Sequence, residues 1–165
     1  MEPLIALVVT TLVLLGLGAV GVSRLRPWSV ALRGGLAAMF VVTGTAHFVG
    51  LRESLIDMVP PAFPAPGLLV TVTGVLELCG AVGLLWHRTV LLASGGLTLL
   101  LVAVFPANVH AAAENLSGRW DDELVPRTIL QVIFLAATIA VLSKEIRNRR
   151  QSRQVQREEV VNNAS

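Results

Sequence analysis

The chain is poor in charge, cysteine and tyrosine, and each shortage narrows the kinds of protein that it can be. Only 15% of its 165 residues are charged, whereas soluble domains usually carry about a quarter. The single cysteine, Cys79, excludes an intramolecular disulfide, a CxxC pair and a cysteine metal cluster. Tyrosine is absent and no flavin or iron–sulfur motif is recognisable, so no cofactor is evident.

Apolar residues dominate instead, at 54% of the chain, and the mean hydropathy is +0.72. They form five stretches, at residues 3–22, 30–49, 67–86, 89–105 and 125–143. Each stretch approaches the roughly 17 to 25 residues that a helix needs to cross the hydrocarbon layer. Because lipid cannot satisfy backbone polar groups, and because the stretches do not alternate as barrel strands do, they predict transmembrane helices. We therefore expect an all-α, polytopic membrane helix bundle.

The positions of the charges predict how these helices cross the membrane. Of the 13 basic and 11 acidic residues, only Arg33, Glu77 and Arg127 lie inside the apolar stretches. Basic residues follow the first stretch, the third stretch and the fifth stretch, so the positive-inside rule places these connections in the cytoplasm. The amino terminus is then outside and the carboxyl terminus cytoplasmic. Since the positive charges follow the first stretch, it predicts a retained helix and not a cleaved signal peptide.

The sequence also predicts the conformation of the second connection and of the tail. The connection from Gly50 to Pro66 is expected to be extended or turned, either capping the outer mouth of the bundle or serving as a stiff connector, because it contains Pro60, Pro61, Pro64 and Pro66. The tail, residues 144–165, is expected to extend the fifth helix briefly and then to fray. Its basic half predicts a topology anchor, with anionic lipid headgroups as an alternative contact and no role in nucleic-acid binding.

Glu77 is the most informative residue, because a carboxyl in the middle of an apolar helix is costly and is by default a candidate functional group. The predicted topology places six more polar side chains in the outer half of the membrane, above Glu77. Thr43 and His47, Thr73 and Glu77, and Arg127 and Gln131 are each four residues apart, so the members of each pair lie on the same face of a helix. The seven side chains predict an outward-facing polar pocket for a ligand, with no metal site: Thr43, His47, Thr73, Glu77, Asn108, Arg127 and Gln131.

Several of these residues have a structural alternative. Glu77 and Arg127 form either a buried ion pair that fixes the helix register or part of a ligand or proton site. His47 either hydrogen-bonds the proline-rich connection or contacts a ligand. Asn108 either caps backbone groups freed by Pro106 or contacts a ligand. The fourth helix is expected to end at Pro106, which places His110 beyond it.

Five short motifs, in this order and spacing, resemble those of the DoxX-like membrane proteins. They are Gly44-Thr45-Ala46-His47-Phe48, Val59-Pro60-Pro61 with Pro64 and Pro66, Gly74-Val75-Leu76-Glu77, Phe105-Pro106-Ala107-Asn108 and Arg127-Thr128-Ile129-Leu130-Gln131. The resemblance covers about residues 30–143. It implies a four-helix membrane domain in the inner membrane of a bacterium. Some relatives are associated with quinone-linked sulfur oxidation or membrane oxidoreductase complexes, whereas others are assembly factors without chemistry.

These observations predict three parts: an N-terminal transmembrane helix with its connection (1–29), a DoxX-like four-helix domain (30–143) and the tail (144–165). The leading hypothesis is an inner-membrane protein whose pocket binds a lipid or quinone as a subunit of a redox system. Its partners would be the bilayer and a membrane redox protein. The alternative is a non-catalytic membrane scaffold or assembly factor. Neither hypothesis decides whether the chain is an enzyme.

Overall fold

Six α-helices make up the part of the chain that the computed structural model describes, residues 1–113 and 124–163, with the main chain alone at residues 111–113, 124, 125 and 127. They are α1 (Glu2–Val20), α2 (Trp28–Ala46), α3 (Arg52–Asp57), α4 (Pro66–Leu85), α5 (Val90–Ala113) and α6 (Leu124–Asn162). All except α3 are long and apolar enough to cross a membrane. This confirms the all-α class and gives five helices with the length and apolar character of the predicted spans, which is compatible with a multi-pass membrane protein.

Proline and glycine set several helix boundaries. Pro66 occupies the first turn of α4, where its missing N–H costs nothing. The residue before it, Ala65, is left-handed, with φ of 50°. At the other end of α1, Gly21 adopts φ of 131° and its N–H donates to the Leu17 carbonyl, which ends the helix. The 3-10 helix Ser23–Leu25 then leads into α2.

The long helices form a bundle in which each packs against its neighbour along the chain. Helix α2 contacts α4, α4 contacts α5, α5 contacts α6, and α6 returns to contact α2, while α1 packs mainly on the outside of α2. Buried apolar side chains from each of the four helices fill the centre, among them Phe40, Leu84, Leu97 and Val141. Much of the remaining apolar surface is exposed, as a lipid-facing surface would be.

The connection between α2 and α4 contains a helix that the proline count did not predict. Residues 52–57 form α3, with Glu53 in its first turn. The four prolines all follow α3, so they restrict only the later part of the connection. The expectation of an entirely extended or turned segment was therefore wrong for Arg52–Asp57.

The fourth span does not end at Pro106, as was predicted. Helix α5 continues through Pro106 to Ala113, so His110 belongs to the same helix. Proline removes one backbone hydrogen bond, but in a bundle the neighbouring helices can supply partners for the freed groups. Pro106 frees the carbonyl of Val102, four residues earlier, which is next to the Leu101 carbonyl that accepts from Gln131 of α6.

Helix α6 continues well past Ser143, so the prediction of a brief extension that frays was wrong. It runs for 39 residues to Asn162, a length of roughly 58 Å at the rise of an α-helix. Lys, Arg, Gln and Glu, which fill this segment, are good helix formers. Arg149 also donates to the Glu145 carboxylate one turn earlier, at 2.8 Å.

The two ends of the bundle differ in composition. We call the end where α1 finishes, α2 begins, α4 finishes and α5 begins the basic end. The opposite end, with α3 and the prolines of residues 60–66, is the proline end. The direction of crossing remains a prediction from charge: the proline end should face outward and the basic end the cytoplasm.

Cysteine labelling tests this direction. Ser54 in α3 and Ser152 in α6 are both exposed and belong to opposite ends. In a Cys79→Ser background, we expect Ser54→Cys to react with an impermeant thiol reagent in intact spheroplasts. Ser152→Cys should react only after permeabilisation, which controls for its reactivity. Labelling at Ser152 alone in intact cells would reverse the orientation.

Candidate functional site

Two glycines bring α2 and α4 close together at the predicted site. A Cβ added at Gly44 would lie 3.2 Å from Glu77 Cβ and 2.9 Å from Leu78 Cγ. A Cβ added at Gly74 would lie only 2.6 Å from His47 Cβ. Small residues allow such close approach between membrane helices. The consequence is that side chains from α2 reach the carboxyl on α4.

Glu77 is buried at this contact, with 7% of its surface exposed. On the facing helix, Thr43 precedes Gly44, which lies against Glu77 Cβ, and His47 lies against Gly74, about one turn from Glu77. The hydroxyl of Thr43 makes only long bonds to its own helix, 3.3 and 3.4 Å to the Met39 and Phe40 carbonyls. Among the described residues, Glu77 Oε2 has no hydrogen-bond partner. A buried oxygen without a hydrogen-bond partner lowers the stability of the fold, and it is available to accept a hydrogen bond from a ligand.

The hydrogen bond of His47 defines the role of each ring nitrogen. His47 Nδ1 lies 2.9 Å from the Thr43 carbonyl oxygen. Because a carbonyl can only accept, Nδ1 carries the hydrogen and donates. In the neutral ring Nε2 is then an acceptor, and it becomes a donor only when the ring is protonated. The ring is half-buried at the end of α2.

Arg52 holds this part of the site in place, although sequence reasoning assigned it no role. From α3, its guanidinium donates to the His47 carbonyl at 3.2 Å and to the Gly67 carbonyl at 3.3 Å. It also donates to the Thr71 hydroxyl at 3.0 Å. These bonds join the end of α2 to the start of α4. Neither Arg52 nor Thr71 carries a sequence signal that distinguishes it from an ordinary polar residue near a helix end.

A second polar group forms between α5 and α6. Asn108 Nδ2 donates to Gln131 Oε1 at 3.1 Å, and Gln131 Nε2 donates to the Leu101 carbonyl. Gln131 is buried, with 8% of its surface exposed. The amide nitrogen of Asn108 therefore binds a side chain of α6, while the two roles considered from sequence, capping backbone groups freed by Pro106 and contacting a ligand, stay predictions.

The helix register places the two polar groups at a similar depth. Along the antiparallel α4 and α5, Gly83 lies against Ala93 and Gly80 lies against Leu97. One further turn along both helices brings Glu77 to the level of Leu101. Since Gln131 binds the Leu101 carbonyl, Glu77 and Gln131 are buried side chains at about the same level of one bundle.

The remaining two predicted residues are not placed in this site. Thr73 donates to the Leu69 and Val70 carbonyls of its own helix, at 2.9 and 3.1 Å. The side chain of Arg127 lies outside the described residues, so its pairing with Glu77 stays a prediction. Its main-chain position in α6 is one turn before Gln131. Within the described part of the chain, no cluster of three or more His, Cys, Asp or Glu residues could hold a metal ion.

Comparison with known proteins gives a family but no characterised relative. Neither the curated proteins nor the solved structures contain a match to this chain. A family described as a domain of unknown function (DUF8561) matches residues 36–142, from within α2 to within α6. All seven predicted site residues fall inside this range, whereas α1 and the end of α6 fall outside it. Because the match covers more than half of the chain, the protein belongs to the DUF8561 family.

Proposed function

We propose that this chain is a DoxX-type protein of the bacterial inner membrane whose site around Glu77 and His47 binds the polar head of a lipid-soluble ligand. A quinone is the ligand class to test first. The chain would act as a subunit of a membrane redox system. One observation carries the proposal: the buried Glu77 Oε2 has no hydrogen-bond partner among the described residues, beside an imidazole with one nitrogen engaged.

The two groups suit a ligand that exchanges protons. With Nδ1 donating to Thr43, the neutral His47 ring offers Nε2 as an acceptor for a hydroxyl of the reduced ligand. Once protonated, the same nitrogen can donate to a carbonyl of the oxidised ligand. Glu77 offers a second oxygen for the same exchange. Electrons would pass between the ligand and a partner protein, because the chain has one cysteine and no tyrosine.

A membrane scaffold is the second candidate, and a separate observation favours it. Asn108 and Gln131 tie α5 to α6, and Arg52 ties α2 to α4 through α3, so many polar side chains have structural roles.

His47→Gln distinguishes the two functions. Glutamine keeps a hydrogen-bonding group but cannot take up and release a proton as imidazole does between about pH 5 and 8. If His47 serves a ligand, we expect the variant to fold with nearly unchanged thermal stability. It should retain less quinone or lipid after mild detergent extraction, or lose the pH dependence of that retention. Mass spectrometry of the purified protein measures both.

The matched control is His87→Gln, which removes an exposed imidazole from the basic end. It should leave retention and its pH profile unchanged. A structural His47 gives the reverse pattern, with lower thermal stability and the full complement of ligand. In that case, or if the parent protein retains no lipid or quinone above background, the scaffold is the better account.

A further inference from the structure

Positive charge is concentrated at the basic end to a degree that the ligand site does not explain. Residues 21–33, 86–90 and 143–153 hold nine Lys and Arg side chains against one acidic side chain, Glu145. At the proline end, residues 47–66 hold one basic and two acidic side chains. The excess of cations is therefore local, and it is complementary to an anionic surface.

Two arginines organise the basic end by binding backbone carbonyls. Arg33 Nε donates to the Leu84 carbonyl at 2.8 Å, which joins the start of α2 to the end of α4. Arg149 Nη2 donates to the Arg88 carbonyl at 3.3 Å, which joins α6 to the turn between α4 and α5. The structure thus gathers the ends of α2, α4 and α5 beside α6.

Other cations at the same helix ends remain exposed. Arg24 and Arg26 lie just before α2, and Arg88 lies between α4 and α5, all with exposed side chains. Two tryptophans flank them, Trp28 with 48% and Trp86 with 61% of the surface exposed. Tryptophan is enriched at the level of lipid headgroups, so these aromatic rings indicate the depth at which the arginines lie.

We infer that the basic end binds the headgroups of anionic phospholipids selectively, through Arg24, Arg26 and Arg88 between Trp28 and Trp86. Charge complementarity favours this occupant, because phosphate oxygens are strong acceptors for guanidinium groups. The exposed end of α6 lies too far from the basic end for all of its cations to contact the same layer of headgroups. Arg157 lies roughly 12 Å beyond Arg149 along the helix, whereas each headgroup layer is only about 5 to 8 Å thick.

Brominated lipids test this inference at the basic end itself. In a Trp120→Phe background, the remaining fluorescence comes from Trp28 and Trp86. The protein is reconstituted into phosphatidylcholine bilayers that contain a small fraction of brominated phosphatidylglycerol or, in parallel, of brominated phosphatidylcholine. We expect stronger quenching by the anionic lipid, and a weaker preference at high salt.

Charge-removing variants locate the site. Arg88→Gln should reduce the preference for the anionic lipid by about fivefold, since one cation near the surface is worth about 1 kcal/mol. Adding Arg26→Gln should reduce it further. Arg157→Gln removes the same charge from the far end of α6 and should leave the preference unchanged.

Two results would overturn the inference. Equal quenching of the parent by both lipids would show that the basic end does not select anionic headgroups, which would leave its cations with the role of a topology anchor. An equal loss in Arg157→Gln and Arg88→Gln would show a general effect of net charge. Thermal unfolding of each variant confirms that the comparison is made between folded proteins.

Discussion

Replacing Glu77 with leucine is expected to stabilise the folded bundle and to abolish the proposed ligand binding. Glu77 is 7% exposed and its Oε2 has no hydrogen-bond partner among the described residues. A buried polar atom in this state costs about 1 to 3 kcal/mol, which an apolar side chain of similar size would recover. We therefore expect the free energy of unfolding to rise by about 1 to 3 kcal/mol, measured by denaturant titration in detergent micelles.

Gln131→Leu is the matched control, because it also replaces a buried polar side chain in the same bundle. Gln131 has partners at both ends of its amide, Asn108 and the Leu101 carbonyl. Its loss should lower stability by about 1 to 2 kcal/mol, the upper range for hydrogen bonds between membrane helices. If the change in the free energy of unfolding has opposite signs in the two variants, Glu77 is retained for function, whereas Gln131 holds the helices together.

A loss of about 3 to 5 kcal/mol in Glu77→Leu would contradict the expectation, because it would show that Glu77 balances a buried charge. Arg127 is the candidate for that charge from sequence. In that case the double variant Glu77→Leu with Arg127→Leu should recover much of the loss. Glu77 would then stabilise the bundle, and the scaffold function would be preferred.

The membrane spans were predictable because hydropathy and length determine them almost alone. The predicted stretch 67–86 became α4, Pro66–Leu85, and 3–22 became α1, Glu2–Val20. Two predictions about helix ends were wrong: that the fourth helix ends at Pro106, and that the polar tail frays soon after Ser143. The rule that proline ends a helix holds for an isolated segment, whereas α5 continues through Pro106 inside a bundle. The continuation of α6 depends on helix propensity, which apolar periodicity does not report.

The site was predictable in part, for a reason that lies in the helix geometry. Thr43 and His47 are one turn apart, so finding both near Glu77 required only that one face of α2 meet α4. The register between these helices depends on Gly44 and Gly74, whose close contacts appear only in three dimensions. The same limit explains why Thr73 was included and Arg52 was not. Whether Thr73 or Arg52 reaches the site depends on contacts between helices, which residue spacing within one helix does not reveal.

Gly74→Ala is expected to destabilise the bundle and to displace His47. The added Cβ would lie 2.6 Å from His47 Cβ, 2.9 Å from His47 Cγ and 3.0 Å from Phe48 Cε2. The first two atoms are the root of a side chain whose ring is held by the Thr43 carbonyl, so they cannot turn away as a flexible end could. Overpacking of this kind costs about 1 to 3 kcal/mol. We expect a lower midpoint of denaturation together with reduced retention of any ligand.

Gly96→Ala provides the control, because it makes the same chemical change inside a membrane helix, and no atom of the described residues lies within 4 Å of the added Cβ. With no contact to oppose it, alanine should raise stability by up to about 1 kcal/mol through its better helix propensity. The difference between the variants therefore measures the cost of separating α2 from α4. If Gly74→Ala is as stable as Gly96→Ala, the two helices do not approach each other at Gly74. The contact that brings His47 to Glu77, and with it the proposed site, would then have to be abandoned.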